Sequence, residues 1–109
     1  MVFQHKTLAE GGWQTLSLAE QMGNIGSETG RILRWKDKDE KLFQSSFERA
    51  LELLYLTIQD PRWCHRLKEL TRVREFLIDA VSGGNSYGSR LEDLDRYFFQ
   101  FALAARRNK

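Results

Sequence analysis

The stretch Ser17-Leu18-Ala19-Glu20-Gln21-Met22-Gly23-Asn24-Ile25-Gly26-Ser27-Glu28-Thr29-Gly30-Arg31-Ile32-Leu33-Arg34 reads as one helix, and that reading decides the fold class. Ser17-Leu18-Ala19-Glu20 is a capping box, in which hydroxyl and carboxylate satisfy backbone donors that the first turn leaves orphaned. At about 100° per residue, Leu18, Met22, Ile25, Thr29, Ile32 and Leu33 share one apolar face. Ala19, Gly23, Gly26 and Gly30 line the edge of that face within about 60° of arc. A glycine inside a helix costs about 1 kcal/mol relative to alanine. Close approach of a second helix along this stripe offsets that cost, so the stripe is a packing signature.

Working outward, Asp37-Lys38-Asp39-Glu40 is a break and a fresh helix start, capped by Asp37 or Asp39. A second helix runs to about Gln59 with a core face of Phe43, Phe47, Ala50, Leu51, Leu54 and Ile58. Asp60-Pro61 sets a cap and a first-turn proline, opening a third helix over 61–81 that buries Trp63, Leu67, Leu70, Leu77, Ile78 and Val81. A long loop, Ser82 to Gly88, follows. Ser89-Arg90-Leu91-Glu92 is a second capping box, opening a helix whose core face is Leu91, Leu94, Phe98, Phe101, Ala102 and Ala105. No period-2 alternation persists. The expectation is an all-α, up-down antiparallel four-helix bundle over 17–109, preceded by a short N-terminal arm over 1–16 that Trp13 pins.

The chain has 109 residues, enough for one domain with its own core. Its single cysteine, Cys64, cannot form an internal disulfide, which fits a reducing cytoplasm. No run approaches the ~18 apolar residues of a membrane span, and Met1 to Gly12 lacks the apolar core of a signal peptide. Seventeen basic residues nearly balance fifteen acidic ones, for a net charge of +2. That balance permits a nucleic-acid partner without arguing for one.

Cys64 and His65 are neighbours on a helix and point about 100° apart, so they form no nucleophile–base pair. Two histidines and one cysteine are too few for a structural zinc site. The glycines of the first helix lack the strand-turn context and lysine of a phosphate-binding loop. The residues therefore argue against an enzyme, and neither cofactor nor metal is expected.

Three groups remain as candidates. Arg74 falls near the centre of the third helix's apolar face, where a buried guanidinium needs a carboxylate; Glu28 and Glu48 are the candidate partners. Surface cations gather on the third helix (Arg62, His65, Arg66, Arg72), at the end of the first (Arg31, Arg34) and at the C-terminus (Arg106, Arg107). Trp35, Tyr55, Leu56, Phe76, Phe99 and Leu103 lie off the core faces, and a surplus of large apolar residues suggests a partner surface.

Ser17 to Glu28, Phe47-Glu48-Arg49-Ala50-Leu51-Glu52-Leu53-Leu54, Asp60-Pro61-Arg62 and Tyr97-Phe98-Phe99-Gln100-Phe101-Ala102 together resemble a family of short prokaryotic helical proteins, over nearly the whole chain from Trp13. That family brings no activity to transfer. The four-helix length and aromatic last helix are more distantly similar to the 23S ribosomal-RNA intervening-sequence proteins and to the accessory variability proteins of retroelements. The likeness implies ring assembly and a link to nucleic-acid machinery. The leading expectation is a non-enzymatic, self-associating adaptor or accessory protein. A nucleic-acid-binding module using Arg31, Arg34, Arg62, Arg66, Arg106 and Arg107 is the second, and a ligand-binding bundle with a pocket near Arg74 the third.

Overall fold

Local signals start the helices where the side chains can cap them. A computed structural model describes residues 12–107, with α1 over Leu18–Trp35, α2 over Glu40–Ile58, α3 over Leu67–Val81 and α4 over Leu91–Arg107. The Ser17 capping box forms: the Glu20 N–H donates to the Ser17 hydroxyl at 3.1 Å and the Ser17 N–H to the Glu20 carboxylate at 3.0 Å. Asp39, not Asp37, caps α2 by accepting from the Leu42 N–H. No strand occurs among the described residues. Residues 1–11 and 108–109, including most of the expected arm and the end of its basic tail, lie outside the described residues.

The arrangement is an up-down antiparallel bundle. Along α1, Gly23 faces Ala102, Gly26 faces Phe98 and Gly30 faces Asp95, so α4 runs against α1. Gln21 meets Asp60 while Glu28 meets Arg49, so α2 also runs against α1. The glycine stripe is thus the seat of α4, an intramolecular contact. Met22, Ile25 and Ile32 from α1, Leu54 from α2, Leu70 and Leu77 from α3, and Phe98 from α4 are fully sealed from solvent. Each such side chain contributes roughly 1.5–3 kcal/mol of burial.

The third element departs from a continuous helix over 61–81. Pro61–Arg66 is a 3-10 segment with non-helical angles at Trp63, and the α-helix starts afresh at Leu67. Side-chain anchors hold the segment in this tighter geometry, which proteins use in short pieces. Arg62 clasps Asp60 and donates to the Leu16 carbonyl at 2.6 Å, and the Trp63 indole N–H donates to Gln21 Oε1 at 2.9 Å.

The same pole holds a buried polar network. Gln21 Nε2 donates to the Trp13 carbonyl at 2.9 Å and to Asp60 at 3.2 Å. The Trp13 indole is buried and donates to the Thr57 hydroxyl at 2.9 Å, whose own proton goes to the Leu53 carbonyl. Buried donors left unpaired would each cost about 1–3 kcal/mol; here every one named has a partner. The expected pin at Trp13 is therefore a core residue, entering through the 3-10 turn Trp13–Thr15.

Candidate functional groove between α3 and α4

Asp79 shapes the approach to the site. Its buried carboxylate accepts the backbone N–H groups of Ser86 (2.9 Å), Tyr87 (3.1 Å) and Ser89 (3.1 Å), tying the 82–90 loop back onto α3. Burial alone would raise this carboxyl, but the N–H groups of Ser86, Ser89 and Tyr87, with the Ser89 hydroxyl, outweigh it and hold the pKa below its ordinary value. The second capping box therefore does not take its expected form. The Ser89 N–H goes to Asp79 rather than to Glu92, and Arg90 is the residue that precedes α4.

Held this way, the loop lays the Tyr87 ring edge-on against Phe76, centroids 5.3 Å apart. Beneath it a groove of about 500 Å³ opens between α3 and α4. Its α3 wall is Glu69, Arg72, Val73 and Phe76; its other wall is Arg90, just before α4, with Asp93, Leu94 and Tyr97 of α4. Each wall repeats the i, i+3, i+4, i+7 spacing of one helix face, so two matched stripes about 10 Å long face one another. Val73 and Leu94 are buried in the floor, Phe76 and Tyr97 are half-buried, and Tyr87 is 58% exposed at the lip.

The polar groups on the walls divide into engaged and free. Glu69 accepts from Arg66 at 2.8 and 2.9 Å and from the Tyr97 hydroxyl. The Tyr97 hydrogen bond, reinforced by Arg66, holds the Glu69 carboxyl below its ordinary pKa against the opposing effect of burial. Burial and the adjacent Glu69 carboxylate push the Tyr97 phenol up. Asp93 is paired with Arg96. Arg72 is exposed and makes no ion pair or hydrogen bond among the described residues. Arg90 makes only a 3.5 Å contact with Glu92, with both side chains more than half exposed.

The residues singled out from sequence are distributed differently. Arg74 is exposed, which corrects its placement at the centre of a buried face. The buried face of α3 is Leu70, Val73, Leu77 and Ala80, rotated away from Arg74 because Leu67, counted as core, is 40% exposed. Of the two candidate partners of Arg74, Glu28 is buried, at 3%, but Arg49 holds it through Nε at 3.0 and 3.2 Å and Arg31 through a 2.7 Å bond. Glu48 is exposed.

Of the six candidate interface residues, Trp35, Leu56 and Phe76 are half-buried and pack against the core, each with part of its side chain open to solvent. Leu103 is half-buried. Tyr55 and Phe99 are exposed, at 43% and 52%, on α2 and α4. Those two helices each flank α1 and sit diagonally, so the two rings do not share a patch. The basic residues do not converge either. Arg31, Arg62 and Arg66 are paired with Glu28, Asp60 and Glu69, Arg34 stacks over Trp35, and Arg106 and Arg107 end α4. Among the described residues no group of three or more His, Cys, Asp or Glu side chains could hold a metal ion, and no helix is long and apolar enough to cross a membrane.

Of the groove residues, only Arg72 and Phe76 were candidate site residues from sequence; Glu69, Val73, Tyr87, Ser89, Arg90, Asp93, Leu94 and Tyr97 were not. The signal was present as matching 0, 3, 4, 7 spacings in 69–76 and 90–97, either side of a loop. No protein-family model, curated protein or solved structure matches this chain, so the groove is read from its own chemistry.

Proposed function

We propose that this chain is a non-enzymatic adaptor module that docks an amphipathic helix of another protein into the α3–α4 groove. The observation that carries the reading is the pair of matched two-turn stripes with an apolar floor, the surface on which a third helix seats its own i, i+3, i+4, i+7 residues. A small-molecule site orients its ligand through polar groups converging inside the cavity; here the charged groups stand along the two walls.

Self-association, the expectation the sequence raises, has less surface to use once Trp35 and Leu56 are partly drawn against the core. The two stripes are about 10 Å long, the footprint of one short helix, and that length is what favours a single helix over a second copy. Light scattering at micromolar concentration, with backbone NMR of the same sample, tests the proposal. A monomer whose Tyr87, Leu94 and Tyr97 amides shift on adding an amphipathic helical peptide supports it. A stable homodimer that covers those residues overturns it.

A further inference from the structure

We infer that the docked helix carries acidic residues beside its apolar stripe, and that Arg72 and Arg90 select it. This rests on the helix-docking reading and adds the chemistry of the partner.

Charge complementarity carries the inference. Glu69, the acid on the groove's α3 wall, is held by Arg66 and by Tyr97, and Glu75 just outside the groove accepts from the Tyr87 hydroxyl at 3.4 Å, while Asp93 pairs with Arg96 on an exposed turn. An incoming basic helix would have to compete with those partners. The arginines are different. Arg72 is unmatched among the described residues, and the Arg90–Glu92 contact, long and exposed, holds Arg90 weakly.

Their positions make a pattern that a helix can answer. Glu69 meets Tyr97 across the groove, which sets the register of the two walls. Arg72 is three residues along α3 from that point, and Arg90 is seven along the opposing wall. The two guanidiniums therefore stand on opposite walls, about one helical turn apart along the axis. A helix lying between them offers one carboxylate on each flank of its apolar stripe, about five residues apart, with the leucine or aromatic positions between them filling the floor. Arginine suits this role because its planar fork binds a carboxylate through two parallel hydrogen bonds.

Three synthetic helical peptides with identical leucines at i, i+3, i+4 and i+7, flanked by glutamate, glutamine or lysine, test the inference against the full-length chain by NMR titration. The glutamate peptide is expected to bind about tenfold tighter than the glutamine peptide, with the lysine peptide weakest. The Arg72→Glu/Arg90→Glu double variant, both positions exposed, is expected to keep its helical circular dichroism and to prefer the lysine peptide. Equal affinity for the glutamate and glutamine peptides at the groove would overturn the charge selection while leaving docking intact. Absence of groove shifts with all three would overturn docking itself.

Discussion

Gly26 and Phe98 meet so closely that a β-carbon on Gly26 would stand 2.8 Å from that of Phe98. Real β-carbons do not approach that far, so α1 and α4 touch here because one of them carries no side chain. Four residues on, a β-carbon at Gly30 would meet only the Asp95 carboxylate, at an ordinary 3.7 Å. One stripe thus contains two opposite expectations. Gly26→Ala gains about 1 kcal/mol of helix propensity but overpacks the seam by about 1–3 kcal/mol, and is expected to lower the melting temperature. Gly30→Ala keeps the propensity gain and is expected to raise it. Gly26→Leu should be far more damaging than Ser27→Leu, whose side chain points to solvent. Thermal unfolding of the four variants checks the series.

The Glu28–Arg49 pair crosses from α1 to α2 with its carboxylate sealed from water. Arg49→Ala leaves a buried charge with one remaining exposed partner, Arg31, and is expected to cost about 2–4 kcal/mol. Arg74→Ala, on an exposed position, is expected to stay within about 0.5 kcal/mol of wild type. Chemical denaturation of both variants checks the contrast, and equal losses would return Arg74 to the core.

Asp60 links stability to pH. The Arg62 guanidinium bound to it, with help from the Arg62 N–H and Gln21, holds its carboxyl below the ordinary carboxylate value despite burial. A carboxyl whose folded pKa lies below its unfolded one stabilises the fold above the unfolded pKa and loses that contribution as pH falls through the folded one. Asp60→Asn is therefore expected to cost about 2–3 kcal/mol near neutral pH. The gap to wild type should begin to narrow below about pH 4 and go on narrowing as the pH falls through the lower folded value. Urea unfolding of both proteins at pH 7 and pH 3 measures it.

Asp79 is the anchor that keeps the groove's lip in place. Asp79→Ala removes the acceptor for three backbone N–H groups at once. Faster hydrogen exchange at Ser86, Tyr87 and Ser89 is expected, together with weaker peptide binding at the groove, while α1 and α2 amides keep their protection.

What was legible in the chain follows from range. The caps at Ser17 and Asp39, the proline junction and the glycine seam are set by residues within a turn or two of each other, and the spacing alone exposes them. The face of α3 was not legible, because Trp63 and Leu67 look like core on a continuous helix wheel. The wheel is interrupted: contacts from Arg62 to Leu16 and from Trp63 to Gln21, more than forty residues apart, hold 61–66 in a tighter helix. The groove was hidden for a related reason. Each wall reads as an ordinary amphipathic face, and their facing across a gap is set by packing between residues more than ten apart, which spacing does not encode.

The polar pole around Gln21 acts as a directional key. Its amide nitrogen faces two groups that can only accept, the Trp13 carbonyl and the Asp60 carboxylate, and its oxygen faces the Trp63 N–H, which can only donate. Turning the amide over would set donor against donor and acceptor against acceptor. A glutamate of the same shape would bring a second negative charge to Asp60. One neutral side chain therefore dictates how the start of the chain around Trp13 and the distant Asp60–Trp63 junction are allowed to come together.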